Sequence, residues 1–287
     1  MDGEEDAIGW NGAELKEESK FNRGMFSLNR DAVQHRHTGK VERSNPKLSL
    51  IIPAFNEEKR IEGTILSYLE YFSSEQNNFE IIVEMDGCTD GTEEVVRKLA
   101  KKYVNIIPIK FEKRLGKGGG IVRGFQNAKG DIVGFVDADG SIKPEEFEKL
   151  LIELENGYSG AIASRRAEGA VVVNQPLVRK ILSKLFNILV RILFILPYKD
   201  TQCGAKIFRK KVIEEVIPSL NTHNFAFDVN LLYLITKKGF KIKEVGIRWE
   251  DKYGSKVKLH RVIPEMLISI IRLRLYHSPL KFLVGKE

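Results

Sequence analysis

The sequence predicts an α/β fold with a doubly wound, mostly parallel sheet. Three observations lead to this class. Short apolar runs alternate with segments of helical periodicity between residues 47 and 150. The first, second and fourth of these runs end in turns that carry carboxylates. With 287 residues, 43% of them hydrophobic, the chain can bury one sizeable core.

The elements are expected to begin at residue 47, because residues 1–46 have few apolar side chains, mixed charges and no period, as in a disordered tail. Thr92 is expected to cap the second helix, and residues 115–120 to form a glycine-rich loop before the third. The predicted order is strand 48–52, helix 60–72, strand 79–83, helix 92–103, strand 105–110, a helix ending at 128 and strand 132–136. This βαβαβαβ order brings the carboxyl ends of the strands to one edge of the sheet.

Residues 131–141 deliver two carboxylates to the end of the fourth strand. Asp137 and Asp139 cannot both stay charged at low cost unless a cation lies between them. Mg²⁺ or Mn²⁺, bound by one or two carboxylates together with substrate phosphates, would suit this pair. The alternative is a strand-to-helix turn in which Asp139 or Ser141 caps the helix that begins near Pro144.

Charge and cysteine content narrow the class of partner and the compartment. The net charge is +7, and from residue 237 onward 13 Lys and Arg face 5 Asp and Glu. A basic region fits nucleic acid or an anionic membrane, and the interleaved apolar residues favour the membrane. Cys88 and Cys203 are far apart and form no disulfide or metal pattern, which indicates a reducing compartment. The polar, acidic start has no secretory signal.

Two segments have the composition of helices that lie in a membrane interface. Of the residues in 177–196, 14 are apolar and Arg179, Lys180, Lys184 and Arg191 are interspersed. The segment is too charged to span a bilayer, and the rest of the chain has no run of 18 uncharged apolar residues. We expect it to lie in the interface, with a core helix as the alternative. The run 262–275 repeats the pattern, so residues 262–287 are expected to follow a domain of residues 47–261 as a membrane-associated amphipathic helix.

Two further positions have both a structural and a functional interpretation. The glycine-rich stretch 116–120 lacks the Walker spacing, so Lys117 either belongs to a flexible turn or neutralises part of a nucleotide. Asp228, at the start of a predicted helix over 229–236, either caps that helix or faces the reacting centre.

The motifs IIPAFNEE, MDGCTDGT, RLGKGGG and VDADGS, in that order and spacing, resemble the inverting family 2 glycosyltransferases of GT-A fold. The segments DTQCGAKIF (200–208), FAFDVNLLYL (225–234), GSK (254–256) and IRLRLY (271–276) resemble the dolichyl-phosphate glucosyltransferases. Dolichyl-phosphate mannose synthases share the first half. The resemblance covers about residues 47–280 and implies a Rossmann-like nucleotide-binding half.

The resemblance implies four groups of site residues. For the nucleotide sugar they are Pro53, Phe55, Glu57, Asp86, Lys117, Asp137, Ala138, Asp139 and Gln202. For the acceptor phosphate they are Arg165, Arg179 and Ser183, with Lys206 and Lys256 as further candidates, while Arg166 is expected to be a surface charge. Asp137, Asp139 and Ser141 would hold Mg²⁺ or Mn²⁺, and Asp137, Asp139 and Asp228 would serve catalysis.

The function implied by the resemblance is transfer of a hexose from a nucleotide diphosphate sugar to dolichyl or another polyprenyl phosphate, with inversion. The protein would sit peripherally on the cytoplasmic face of a membrane and bind no nucleic acid. UDP-glucose is the favoured donor, because Ser141 stands where mannose synthases usually carry Gln, and GDP-mannose is second. Met85 stands where the family often has Asp, which removes one possible contact with the base and leaves the identity of the nucleotide open. A sugar-nucleotidyltransferase would need a glycine-rich signature after the first strand, and a non-enzymatic membrane adaptor would not need the carboxylate turns.

Overall fold

The computed structural model describes residues 46–74, 78–220, 226–252 and 259–279. The expectations for residues 1–45 and for Lys256 lie outside these residues, and so do the side chains of Arg179 and residues 259–264. The strands are β1 Leu48–Ala54, β2 Phe79–Asp86, β3 Ile106–Phe111, β4 Ile132–Val136, β5 Gly160–Ser164, β6 Val171–Val173, β7 Ala205–Arg209, β8 Ile242–Gly246 and β9 Arg248–Glu250. The helices are α1 Ile61–Ser74, α2 Thr92–Lys102, α3 Lys117–Asn127, α4 Pro144–Glu155, α5 Leu177–Phe194, α6 Lys210–Val216, α7 Phe227–Lys237 and α8 Leu259–Tyr276.

The main sheet has seven strands in the order β3-β2-β1-β4-β7-β5-β8. All neighbouring pairs are parallel except those that β7 makes with β4 and β5. The prediction of an α/β, mostly parallel sheet is therefore confirmed. The antiparallel strand β7 was not predicted. It carries the residues that follow the DTQCG segment and places that segment next to the end of β4.

Helices cover both faces of the sheet, and each face has its own apolar cluster. On one face α1, α2 and α4 contribute side chains such as Ile65, Leu99 and Phe147. On the other face α3 and α5–α8 contribute side chains such as Phe125 and Val190. Burying each large apolar side chain contributes roughly 1.5–3 kcal/mol. Because both faces of the central strands are covered, those strands read as continuous apolar runs in the sequence.

Four predicted helix starts differ from the structure. The glycine-rich stretch is not a loop, because α3 begins at Lys117 and includes three glycines in its first turn. Thr92 is the first residue of α2 and not its cap. The N-cap of α4 is Lys143, so neither Asp139 nor Ser141 caps this helix. The N-cap of α7 is Ala226, so Asp228 does not cap that helix.

Close packing explains why α3 starts with glycines. A Cβ on Gly120 would lie 2.0 Å from Oε2 of Glu84, and a Cβ on Gly124 would lie 2.6 Å from Cγ2 of Ile51. Glycine therefore lets the backbone of α3 approach β1 and β2 more closely than any other residue could. This approach brings the start of α3 over the ends of the central strands, where the candidate site lies.

The helix α5 packs against the core on one side and is exposed on the other. Phe186, Val190 and Phe194 are buried, so part of the core-helix alternative holds. The exposed apolar residues along and just after α5 are Leu177, Val178, Ile181, Leu185, Ile188, Ile192 and Ile195. Among the described residues, none of the helices has both the length and the apolar character needed to cross a bilayer.

Candidate active site

The turn that follows β4 forms the centre of the site, and α1 holds it in place. The hydroxyl of Thr64 donates to the carbonyl of Ala138 at 2.9 Å, and the hydroxyl of Tyr68 donates to the carbonyl of Ile142 at 3.1 Å. Within the turn, Oδ1 of Asp139 accepts the backbone N–H of Ser141 at 2.9 Å. The turn is therefore anchored through its backbone, and side-chain oxygens of Asp137 and Asp139 are left for a ligand.

Asp137 is positioned by two neighbouring elements. Its Oδ1 lies 2.6 Å from Nζ of Lys117 in the first turn of α3. Its N–H donates to the carbonyl of Gly204 at 2.9 Å, and a Cβ on Gly204 would lie only 2.0 Å from Oδ2. The glycine of the DTQCG segment thus makes room for this carboxylate, in a position that only a residue without a side chain can occupy.

The charges around Asp137 stabilise one another. Burial raises the pKa of the Asp137 carboxyl above its ordinary value, although Lys117 opposes this shift. Burial lowers the pKa of the Lys117 ammonium, but the carboxylates of Asp137 and Asp228 outweigh it, so the net pKa lies above its ordinary value. Lys117 therefore stays charged and can interact with a diphosphate at this edge of the sheet.

The residues of the turn fit a hard divalent cation. Asp137 and Asp139 supply carboxylate oxygens, and the Oγ of Ser141 is buried with no hydrogen-bond partner in the described part of the chain. Oxygen donors of this kind are those that Mg²⁺ and Mn²⁺ prefer, and Mg²⁺ is commonly held by one or two carboxylates plus substrate phosphates. Over the same residues no cluster of three or more His, Cys, Asp or Glu exists, so a metal here would depend on the substrate for further ligands.

Asp228 and Lys206 form a buried ion pair next to this turn. Nζ of Lys206 lies 2.6 Å from Oδ1 of Asp228 and donates to the carbonyl of Cys203 at 2.8 Å. The side chain of Lys206 is fully buried and that of Asp228 nearly so. Lys206 is therefore closed to solvent and cannot reach an acceptor phosphate, so its predicted role in acceptor binding is wrong. It positions Asp228 at the start of α7 instead.

The residues expected to bind the nucleoside meet at the ends of β1 and β2. Phe55 lies under the guanidinium of Arg114, 3.6 Å from the ring centre. The carboxylate of Asp86 accepts the backbone N–H groups of Leu115 and Gly116 and so fixes the loop before α3.

Two other predicted nucleoside residues lie on β1 and in the loop after it. Glu57 makes a two-pronged ion pair with Arg60, with both contacts at 2.7 Å. Pro53 lies near the end of β1, opposite Glu84 of β2. The predicted nucleoside residues thus lie at the ends of β1 and β2 and in the loop after β1, and Asp86 already has a structural role there.

A cluster of charged residues lies at the end of β5, on the side expected to bind the acceptor. Nε and Nη2 of Arg165 contact the two carboxylate oxygens of Asp200 at 2.7 and 3.0 Å. The next residue, Arg166, donates from Nη2 to Oγ of Ser183 on α5 at 2.7 Å. The structure thus brings Arg165 and Ser183 into one cluster. Gln202 is half-buried in the adjoining segment.

Four residues that matter for the site were missed or not given a role. Asp200 and Gly204 belong to the DTQCG segment, but only the structure shows that they fix Arg165 and Asp137. Glu84 is completely buried with neither carboxylate oxygen partnered among the described residues, and burial together with Asp86 raises its pKa to about 8. A charged residue inside an apolar run, FEIIVEM, was the available signal for Glu84. The fourth of these residues is Arg166, which was expected to be a surface charge but contacts Ser183.

Comparison with known proteins agrees with this geometry. The profile described as Glycosyl transferase family 2 matches residues 49–217. The chain is 30% identical to a dolichyl-phosphate beta-glucosyltransferase of Dictyostelium discoideum, over 85% of this chain and 80% of that protein. It is 35% and 33% identical to proteins of the same name from Drosophila melanogaster and Homo sapiens, in each case over 74% of this chain and 69% of the relative.

Solved structures show the same fold at lower sequence identity. Glucosyl-3-phosphoglycerate synthase from Mycobacterium tuberculosis, crystallised with Mn²⁺, UDP and glucosyl-3-phosphoglycerate, superposes with a TM-score of 0.61 at 19% identity, covering 80% of this chain and 79% of that one. Mannosyl-3-phosphoglycerate synthase from Rubrobacter xylanophilus gives a TM-score of 0.55 at 15% identity, covering 81% and 74%.

Proposed function

The chain belongs to glycosyl transferase family 2, and on this basis we propose that it transfers glucose from UDP-glucose to dolichyl or another polyprenyl phosphate with inversion at the anomeric carbon. The observation that carries the proposal is the identity of 30–35% with proteins named dolichyl-phosphate beta-glucosyltransferase, over most of both chains. The arrangement of the site supports the same reaction.

On the donor side, the residues present match the needs of a nucleotide diphosphate sugar. Phe55 and Glu57 would contact the nucleoside from the loop after β1, and Asp86 would do so from the end of β2. Lys117, at the start of α3, would neutralise charge on the diphosphate. Mg²⁺ or Mn²⁺ held by Asp137, Asp139 and Ser141 would stabilise the negative charge that develops on the leaving group. Metal-bound relatives of the same fold support this choice of ion.

On the acceptor side, the nucleophile is an oxygen of the lipid phosphate. That oxygen is largely deprotonated near pH 7, so the enzyme does not require a strong general base. It does require cations that hold a phosphate close to the donor diphosphate. Arg165, Arg179 and Ser183 are proposed for this role, and Arg165 and Ser183 lie in one cluster. Attack on the face of the sugar opposite the leaving group would convert the α-linked donor into a β-linked product.

Asp228 is proposed to orient the sugar between these two sides. Its carboxylate is held by Lys206 and lies close enough to Lys117 to influence the pKa of the ammonium. A carboxylate fixed by a buried ammonium keeps its geometry without reorganisation during the reaction. Asp228 is therefore suited to accept hydrogen bonds from sugar hydroxyls.

The exposed surface of α5 and α8 is proposed to dock on the membrane. Its apolar side chains include Leu185 and Ile192 of α5 and Ile268 and Ile271 of α8. Lys180, Lys184 and Arg191 are exposed on α5 and spaced four and seven residues apart, so they share one flank of the helix. A helix of this kind lies in the interface, with its cations against anionic headgroups. Peripheral association with the cytoplasmic face would bring the site to the acceptor headgroup.

A donor and acceptor panel tests this proposal. The protein is incubated with radiolabelled UDP-glucose or GDP-mannose and, in separate reactions, with liposomes that contain polyprenyl phosphate or with soluble 3-phosphoglycerate. Chloroform-soluble label from UDP-glucose is the expected result. Label from GDP-mannose alone would make the protein a mannosyl transferase, and label only in the aqueous 3-phosphoglycerate product would rule out a lipid acceptor.

A further inference from the structure

Two adjacent guanidiniums at the end of β5 share one carboxylate. Nε and Nη2 of Arg165 donate to the two carboxylate oxygens of Asp200 at 2.7 and 3.0 Å, and the backbone N–H of Arg165 donates to Oδ2 of Asp200 at 3.1 Å. Arg166 lies further away, with Nη1 3.4 Å from Oδ1 of the same carboxylate. Asp200 is fully buried and therefore committed to Arg165. Arg165 thus has a close, two-pronged carboxylate partner, whereas Arg166 has only the longer contact with the same carboxylate.

Among the described residues, no carboxylate other than Asp200 lies within ion-pair distance of Arg166. Glu244 is near, but its two carboxylate oxygens accept the backbone N–H groups of Lys199 and Asp200 at 2.9 and 2.7 Å. Burial lowers the pKa of the Arg166 guanidinium, and Asp200, already paired with Arg165, does not fully restore it. A partly buried guanidinium with only one long ion-pair contact keeps N–H donors for an added anion.

The second contact of Arg166 points to the position of that anion. Its Nη2 donates to Oγ of Ser183 at 2.7 Å, and this hydroxyl in turn donates to the carbonyl of Lys180 at 3.1 Å. Rotation of the hydroxyl would let Ser183 donate to a phosphate oxygen beside the guanidinium. The side chain of Arg166 keeps 23% of its surface exposed, compared with 14% for Arg165, so a ligand can reach it.

We propose that Arg166 binds the phosphate of the acceptor together with Ser183, beside Arg165, which Asp200 holds in place. The inference rests on the proposed function, because it names a further residue that contacts the acceptor. Arg166 is thus a specificity-determining residue for a phosphate-bearing acceptor. Its planar guanidinium can give two parallel hydrogen bonds to a phosphate, which an ammonium cannot.

Steady-state kinetics with farnesyl phosphate, a short and soluble acceptor, test the proposal without a membrane. Arg166→Gln should raise the KM for farnesyl phosphate about 10- to 100-fold, as expected when a charge-assisted hydrogen bond is lost. The KM for UDP-glucose should stay within about two-fold of the wild-type value. Arg166→Lys should recover part of the acceptor affinity, because it keeps the positive charge. The recovery should be incomplete, because an ammonium lacks the planar pair of N–H donors of the guanidinium. Lys199→Gln, which removes an exposed cation next to Asp200, is the matched control and should change neither constant.

Three outcomes would overturn the inference. The first is an unchanged acceptor KM in Arg166→Gln while the wild type transfers glucose to farnesyl phosphate. The second is an equal loss of UDP-glucose affinity. The third is a fall in melting temperature with the acceptor KM unchanged in the correctly folded fraction. The last two would make Arg166 a structural residue.

A binding measurement separates failure of this inference from failure of the proposed function. If the wild type transfers no glucose to any polyprenyl phosphate, the proposed function is wrong, and titration of inorganic phosphate by calorimetry still tests the anion site. The wild type and Lys199→Gln should then bind phosphate about 10-fold or more tightly than Arg166→Gln does. Equal phosphate affinities would contradict the inference whatever the reaction is.

Discussion

At the residue scale, the carboxylate of Asp139 is the feature on which transfer should depend most. Its Oδ1 accepts the N–H of Ser141, a contact that the amide oxygen of asparagine can also make. Asp139→Asn should therefore keep the fold but lower the rate of glucose transfer by a factor on the order of 10² or more, because charge stabilisation at the leaving group is lost. Initial rates and melting temperatures measure the two effects separately.

Asp131→Asn provides the matched control for Asp139. Asp131 is an exposed carboxylate immediately before β4, at the opposite end of the strand from the turn. This variant should keep full activity. An active Asp139→Asn enzyme, or wild-type enzyme that keeps its full rate in EDTA, would contradict the role assigned to the turn.

Glu84 should make stability depend on pH in an unusual direction. The carboxyl is buried without a described partner and its pKa is raised to about 8, from 4.5. Between these pH values the folded state holds a proton that the unfolded state has lost, so stability falls as pH rises from 4.5 to 8 and stays lower above that range. Glu84→Gln should therefore be more stable than the wild type at pH 9, by on the order of a few kcal/mol, with a much smaller difference at pH 5.

Guanidinium denaturation at the two pH values measures this difference. Glu80→Gln is the control from the same strand, because the Glu80 carboxylate accepts hydrogen bonds from Ser49 and from the N–H of Lys129. That variant should lose stability at both pH values. A Glu84→Gln protein that is less stable than the wild type at pH 9 would show that the buried carboxyl has a partner in solution.

The positions of the site carboxylates could be predicted from sequence, but the pairing of charges could not. Asp137 and Asp139 follow an apolar run, and parallel strands bring such turns to one edge. Lys206 lies inside the DTQCGAKIF segment and Arg166 directly follows Arg165, but the sequence does not show which of these basic side chains is enclosed. Only tertiary contacts show that Lys206 is enclosed with Asp228, while the guanidinium of Arg166 is partly buried beside Ser183.

At the scale of secondary-structure elements, α5 should determine binding to membranes. Leu185 and Ile192 are 58% and 71% exposed on the side away from the core. The double variant Leu185→Glu/Ile192→Glu should sediment with anionic liposomes several-fold less than the wild type, because both apolar burial and attraction to the surface are weakened. Binding of UDP-glucose should be unchanged.

Ile152→Glu is the matched control for the α5 variant. Ile152 is 48% exposed but lies on α4, which packs on the other layer of the sheet. It should leave co-sedimentation unchanged. Wild-type protein that stays in the supernatant with anionic vesicles at low salt would mean that α5 and α8 serve another contact.

The strength of the sequence signal explains which elements were predicted. β1, β2 and β4 are long apolar runs with turn residues after them, and their positions and parallel pairing are confirmed. β7 was missed, because Ala205–Arg209 has two basic residues among five and pairs with strands distant in sequence. The start of α3 was also missed. Glycine has low helix propensity, and only the close approach to Glu84 and Ile51 explains its use there.

At the scale of the whole molecule, the clusters proposed to bind the donor and the acceptor follow β4 and β5, which β7 separates in the sheet. The antiparallel strand β7 joins β4, which carries Asp137, to β5, which leads into Arg165 and Arg166. The segment before β7 contacts both clusters, through Gly204 at Asp137 and through Asp200 at Arg165. A nucleotide sugar and a phosphate acceptor bound at the two clusters would therefore meet across this segment.

The anomeric configuration of the lipid product is the sharpest test of inverting glucose transfer to a polyprenyl phosphate. Wild-type enzyme is supplied with UDP-glucose and liposomes that contain polyprenyl phosphate, and the chloroform-soluble product is analysed by proton and phosphorus NMR. A β-linked glucosyl phosphate is the expected product, formed by a single attack of the acceptor phosphate on the face opposite the leaving diphosphate. An α-linked product, or no lipid-linked glucose at all, would contradict it.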